Sequence, residues 1–193
     1  MTRTHQKERT RAAIVAAARE LVESGAPVTM PAIAAAARVS EATAYRYFPD
    51  LVSLQRETAL AAWPEPSVAM AAVAHSADPA DRVAHAAREL AQRVLRYEPA
   101  VRAVVAASVT SPDAAAARPA HRFGLIEEAL APFADAWDAQ EPGRRERLVQ
   151  DLAVVVSAEA LFTLTDLCGL GAEEATAALV RIARSLTEAA LAR

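Results

Sequence analysis

Only five glycines and one cysteine occur in the 193 residues, aromatic side chains make up 5%, and a single lysine, Lys7, stands among 21 basic groups. With so little turn and strand chemistry, an all-β sandwich and a Rossmann-type sheet are excluded. The five glycines form no phosphate-binding loop and no nucleophile elbow. One cysteine, Cys168, closes no intramolecular disulfide and builds no cysteine zinc site; it is expected as a small buried hydrophobe in a reducing, cytoplasmic setting. None of His75, His85 and His121 has another ligand-type residue at a helpful helical offset to form a set, and no Glu-x-x-His pair exists. No metal, no other cofactor and no catalysis are therefore expected. The start, Met1 to Lys7, is polar, and the apolar runs elsewhere are broken by Arg, Asp or Glu, so neither a signal peptide nor a membrane span is expected.

What the chain has in abundance is alanine, 51 residues within a 53% hydrophobic composition. Alanine is the strongest helix former, so the expected class is all-α, and the length suffices for one to two domains with a buried core. Helical periodicity spans about 7–23, 30–37, 41–48, 51–63, 67–75, 80–96, 99–109, 120–137, 145–168 and 173–192. The breaks fall at Pro64-Glu65-Pro66, Asp78-Pro79, Glu98-Pro99, Ser111-Pro112, Arg118-Pro119, Glu141-Pro142-Gly143 and Gly169-Leu170-Gly171, and residues 112–119 stay open between loop and helix. Charge is divided as well. Residues 1–56 carry eight basic groups against five acidic ones, whereas residues 57–193 carry thirteen against nineteen, for a net charge of −3. The two parts are expected to meet different partners.

In the basic part, Ile14, Ala17, Ala18, Leu21 and Val22 recur at helical spacing, and Gly25 sits where a left-handed residue ending the helix costs least. Thr29 is an N-cap followed by Pro31 in the first turn, and Ser40 caps a third helix that Pro49 and Asp50 end. Two short helices joined by a tight turn behind a longer first helix are the plan of a helix-turn-helix module. In the third helix Ala44 and Phe48 face inward with Val39, which leaves Glu41, Ala42, Thr43, Tyr45, Arg46 and Tyr47 for the outer faces. Such a helix can enter a major groove: Ala42 and Thr43 allow close approach, Thr43 can meet a base edge or a thymine methyl, and Arg46 can fork onto guanine or phosphate. The phenols of Tyr45 and Tyr47 suit phosphate oxygens, and the helix N-termini at Thr29 and Ser40 suit anions. The opposing reading has the two tyrosines simply pack the module. Arg3, Lys7, Arg9 and Arg11 offer phosphate or minor-groove contacts, with a merely solvated tail as the equal alternative for Arg3.

The run from Thr29 to Asp50, together with the helix before it, closely resembles the DNA-binding module of the TetR family of bacterial transcriptional regulators. Thr29, Ile33-Ala34, Ala37, Val39-Ser40, Thr43 and Tyr45-x-Tyr47-Phe48 carry the resemblance, which covers about 45 residues in detail, while residues 60–140 carry no recognisable pattern. It implies an N-terminal three-helix helix-turn-helix DNA-binding domain over 1–50 and a C-terminal helical effector-binding and dimerisation domain over 51–193. It also implies DNA-binding roles for Thr29, Arg38, Ser40, Glu41, Ala42, Thr43, Tyr45, Arg46 and Tyr47. The implied function is a cytoplasmic repressor released from double-stranded operator DNA by a small molecule. Two positions depart from the pattern. Arg38 stands where the family usually has the turn glycine, so a residue with a Cβ is expected in a left-handed conformation at a cost of about 1 kcal/mol. Leu51 stands where the family usually has a lysine opening the fourth helix, so that phosphate contact is not carried over.

The resemblance further implies a homodimer in which 145–168 and 173–192 pair with their twofold mates. Counted at 100° per residue, one side of 145–168 holds Val149, Ala153, Ser157, Ala160 and Leu164 and is expected to face the dimer partner. The other side, with Leu148, Leu152, Val155 and Phe162 and with Glu159, Thr163 and Asp166 among them, is expected to face the interior. The expected effector-binding residues are Tyr97, His121, Phe123, Trp137, Glu159, Phe162 and Thr163, with Phe133 in the same wall. Charge inside an apolar wall needs a partner. Glu159 and Asp166 are therefore either structural ion pairs, with Arg102, Arg122, Arg181 or Arg184 as candidates, or polar anchors in a cavity. The competing functions are a helical-bundle ligand-binding or metal enzyme without DNA binding, and a purely helical interaction module. Neither needs the Tyr45-Arg46-Tyr47 face.

Overall fold

The computed structural model describes residues 3–110, 112–116 and 118–192, and every regular element among them is helical. Met1, Thr2, the side chain of Arg3 and the expected break at Ser111 lie outside the described residues. In chain order the α-helices are α1 (Arg3–Glu23), α2 (Met30–Ala36), α3 (Glu41–Tyr47), α4 (Leu51–Ala61), α5 (Pro66–Ala69), α6 (Pro79–Arg96), α7 (Glu98–Thr110), α8 (Pro112–Ala116), α9 (His121–Leu130), α10 (Ala134–Gln140), α11 (Arg144–Val155), α12 (Ala158–Phe162) and α13 (Ala172–Leu191). Turns of 3-10 helix occupy Ala71–Val73 and Ala131–Phe133, and a π-helical turn occupies Thr163–Leu167.

Three stretches expected to be continuous are interrupted. The expected helix 67–75 is reduced to α5 and the 3-10 turn after it. The expected helix 120–137 tightens to a 3-10 turn around Pro132, which has no N–H to continue the ladder. The expected helix 145–168 parts at Val156, whose φ of −81° and ψ of 69° make an inverse γ-turn with the Ser157 N–H donating to the Val155 carbonyl at 2.9 Å. Ser157 then caps α12, its Oγ accepting from the Ala160 N–H at 3.0 Å. Helical phase is lost at this turn and again at the π-helical turn, which takes more residues per turn. The two-sided reading of 145–168 therefore fails beyond Val155: Ser157 is buried, whereas Thr163 and Asp166 are exposed. Cys168 is exposed too, contrary to its expected burial, because it follows the π-helical turn at the solvent end of this segment.

The residues form two compact units, one of Met1–Trp63 with Arg96–Arg118 and the other of Pro64–Leu95 with Pro119–Arg193. In the first, α1 packs on α2 and α4, α2 on α3, and α7 on α4 and α8. Ile14, Ala17 and Ala18 of α1, Met30 and Ile33 of α2, Ala44 and Phe48 around α3, and Leu54 of α4 make its core. This is the inward set that the periodicity of α1 and α3 dictates. A second cluster joins Ala59, Tyr97 and Ala100.

In the second unit α11 packs on α9, α10 and α13. Gly124 lets α5 cross α9 closely: a Cβ there would lie 3.0 Å from Pro66 Cγ. Arg82, only 3% exposed, holds this unit from inside. Its Nε donates to the Ala129 carbonyl at 2.7 Å, Nη2 to the Glu128 carbonyl at 2.9 Å, and Nη1 to the Val73 and Ala74 carbonyls at 2.6 and 3.1 Å. Glu128 and Ala129 lie in the last turn of α9, where carbonyls lack helical partners and the dipole end is negative. Residues Arg144–Leu167 are long and apolar enough to cross a membrane by length and composition, with a mean hydropathy of 1.5 over their most apolar window; 44% of that window is buried inside the fold. A core helix has the same composition.

Candidate nucleic-acid interface

Both short helices begin on side-chain caps. Thr29 Oγ1 accepts from the Ala32 N–H at 3.3 Å, and Ser40 Oγ accepts from the Thr43 N–H at 3.2 Å. Between them α2 ends as α1 does. At the end of α1, the Gly25 N–H donates to the Val22 carbonyl and the Ala26 N–H to the Leu21 carbonyl. At the end of α2, the Arg38 N–H donates to Ala35 at 3.1 Å and the Val39 N–H to Ala34 at 2.9 Å. This paired pattern requires a left-handed residue. Gly25 supplies it at φ 70°, and Arg38 supplies it at φ 56°, the one non-glycine residue with positive φ among those described. The turn therefore keeps the geometry of a glycine turn with an arginine in it. Arg38 is exposed, and its guanidinium makes no hydrogen bond or ion pair with the protein among the described residues. Arg38→Gly should raise stability by about 0.5–1 kcal/mol in urea unfolding, as the left-handed cost disappears. A fall in stability would contradict strain at this turn.

The turn aims α3. Ala44 and Phe48 are 0% and 1% exposed, which fixes the inner face and leaves Glu41, Ala42, Tyr45 and Arg46 in solvent. Thr43 is half-buried, its Oγ1 2.9 Å from Ser40 Oγ. Arg46 has no carboxylate partner among the described residues and lies with its Cζ 5.6 Å from the Tyr47 ring centroid. Tyr45 is 48% exposed, whereas Tyr47 is half-buried against the core. The expected DNA-binding residues thus fall on one continuous stretch of turn and helix, apart from Thr29, which is exposed at the head of α2. Leu51 packs partly against the core, and the cap of α4 comes from Asp50, whose carboxylate accepts from the Ser53 N–H at 2.6 Å.

Arg11 does not belong to a free basic tail. Its guanidinium pairs with both carboxylate oxygens of Glu57 on α4, at 2.8 Å from Nε, donates from Nη1 to the Tyr47 carbonyl at 3.3 Å, and lies 4.4 Å over the Phe48 ring. The bond to Glu57 holds the guanidinium above its ordinary pKa. Arg11 therefore ties α1 to α4 and to the end of α3, a role that sequence reading missed because its partners are 36 to 46 positions away. Arg11→Met, which keeps an apolar stem over Phe48, should cost about 1 kcal/mol of stability, the pair being partly exposed. It should also speed amide exchange at the C-terminal end of α3; unchanged exchange there would remove Arg11 from positioning α3.

The expected effector-binding residues are less gathered. Tyr97 belongs to the first unit, and His121, Phe123, Trp137, Glu159, Phe162 and Thr163 to the second. Within the second, Trp137 is buried and stacked on Phe133, with ring centroids 5.8 Å apart, and Phe162 is buried. Phe123 and Thr163 are exposed, because Phe123 lies on the outer side of α9 from Leu125 and Ile126 and Thr163 opens the π-helical turn. Glu159 accepts from Arg122 Nη2 at 3.0 and 3.2 Å, while Arg122 Nη1 donates to the Ala153 carbonyl at 3.1 Å. Arg122, one of the candidate partners, thus engages Glu159, and the contact joins α9 to α12. Asp166 accepts from Thr165 Oγ1 at 2.9 Å. Burial pushes the His121 pKa below its usual value, with Glu65 opposing the shift.

These observations define the class: an all-α protein carrying an N-terminal helix-turn-helix module. Residues 13–53, from within α1 to the start of α4, match the family model of bacterial regulatory proteins of the TetR family. The helix-turn-helix module of this chain is thus similar to that of the TetR family of transcriptional regulators. The curated proteins hold no match to it. Among solved structures the chain is similar to a 1.54 Å crystal structure from Mesorhizobium loti MAFF303099, provisionally assigned as a TetR-family transcriptional regulator. The identity is 21%, the alignment covers 100% of this chain and 98% of that one, and the TM-score is 0.48.

Proposed function

We propose that the chain is a cytoplasmic, homodimeric repressor that binds double-stranded operator DNA through α3 and is released when a small molecule binds its helical C-terminal part. The observation that carries the reading is the state of α3. Its inner face is locked by Ala44 and Phe48, while Arg46 and Tyr45 stand exposed and Arg46 lacks a carboxylate partner among the described residues. In this reading residues 1–50 hold the DNA. Thr29, Arg38, Ser40 and Tyr47 serve the phosphates, and Glu41, Ala42, Thr43 and Arg46 lie toward base edges. Residues 51–193 bind the effector and dimerise. Val154 on α11 and Ile182 on α13, 71% and 40% exposed in the single chain, support pairing through these helices. For the effector, His121, Trp137, Glu159 and Phe162 are the half-buried or buried members that share the second unit, and Glu159 is held there by Arg122.

Selection of genomic fragments by the purified protein tests the reading. The expected result is enrichment of fragments sharing an inverted repeat whose half-sites are about one helical turn, or a multiple of it, apart. Enrichment no greater than that of random DNA would overturn it.

A further inference from the structure

Behind the helix-turn-helix, wholly within the first unit, lies a half-open cavity of about 260 Å³. Ala18 and Val22 of α1, Gln55 and Thr58 of α4, Arg96 at the end of α6 and Tyr97 just before α7 line it. The wall is mostly apolar, and Tyr97 is 4% exposed. Its polar side chains are few, and its only charge is positive. No Asp or Glu lines the cavity among the described residues, and the single ionic group at its edge is Arg96. Thr58 Oγ1 spends its proton on the Leu54 carbonyl at 2.8 Å. The Arg96 guanidinium and the Gln55 amide make no hydrogen bond or ion pair with the protein among the described residues. An apolar chamber with idle donors in its lining and no carboxylate is complementary to an apolar body ending in an anion.

We propose that this cavity binds a small amphipathic carboxylate, with its apolar body between α1 and α4 and its carboxylate on Arg96 and Gln55. The volume admits roughly ten heavy atoms at the density of protein interiors. The site is separate from the effector site proposed for the second unit. It lies where α1 and α4, which carry α2 and α3 between them, meet α7, so an occupant fixes the spacing of the helices that hold the reading head. That consequence for operator affinity rests on the proposed DNA binding; occupancy of the cavity does not.

The test uses the full-length protein with octanoate as the probe and octanol as its neutral counterpart, read by amide NMR shifts without DNA. Octanoate should shift Val22, Gln55 and Ala100 at millimolar concentration and bind about tenfold more tightly than octanol. Arg96→Gln, at an exposed position, should abolish that preference while leaving octanol binding unchanged, and Ala100→Phe should weaken both probes by filling the chamber. Should Ala100→Phe fail to fold, Arg96→Gln still decides the matter. Equal binding of the two probes, an Arg96→Gln response identical to wild type, or shifts confined to other residues would each overturn the proposal. Operator affinity measured separately in the absence of octanoate distinguishes failure of this site from failure of the DNA-binding reading.

Discussion

Replacing Arg46 by alanine should weaken binding to a defined operator by about 1–3 kcal/mol, roughly tenfold to a hundredfold, with the melting temperature and the native mass in solution unchanged. The separation of effects follows from the side chain's position. Arg46 is exposed and pairs with no carboxylate among the described residues, so the folded protein without DNA loses only a loose contact with the Tyr47 ring. If the guanidinium forks onto a guanine, the loss should vanish on an operator altered at that base; if it meets a phosphate, the loss should persist on every sequence and lower the salt dependence. Tyr45→Phe, which removes one exposed hydroxyl, should show the same pattern with a smaller loss. Fluorescence anisotropy on the operator and scanning calorimetry supply the two readouts. Unaltered affinity would remove α3 from the reading role.

Arg82→Met should destabilise the second unit by about 3–5 kcal/mol, more than any surface change in the molecule. The side chain satisfies four carbonyls from two segments, and methionine keeps the stem but donates to none of them. Removing a buried charge recovers some desolvation energy, and this keeps the expected loss below the sum of four hydrogen bonds. Arg82→Lys should fall between, since an ammonium cannot reach both carbonyl pairs as the planar guanidinium does. Urea unfolding followed by amide exchange of α6 and α9 measures the effect, and a loss under about 1 kcal/mol would mean that water replaces the guanidinium at those carbonyls.

The helix-turn-helix was legible in the sequence because each of its signals is local. Thr29 and Ser40 cap helices three residues ahead, Arg38 occupies a turn whose bonds span four to six residues, and Ala44 and Phe48 are one turn apart. Long-range chemistry was not legible. Arg11 looks like one more basic residue of a tail until Glu57, 46 positions on, is beside it. Arg82 sits at an apolar phase of α6, where an arginine has no visible purpose without the carbonyls of Glu128 and Ala129. The γ-turn at Val156 contains neither glycine nor proline, so periodicity ran through it and assigned Thr163 and Asp166 to a face they do not share with Leu152. Glu159 was seen to need a partner, but four arginines qualified, and it is tertiary packing that brings Arg122 to it.

The central claim is that this helix-turn-helix reads DNA sequence. It is tested most directly by titrating the full-length protein onto its selected operator and onto a scrambled duplex of equal length across a range of salt concentrations. The account predicts a preference for the operator of about a thousandfold or more, with both affinities falling linearly in the logarithm of salt concentration. Equal affinities for the two duplexes at every salt concentration, or no binding even at low salt, would contradict it.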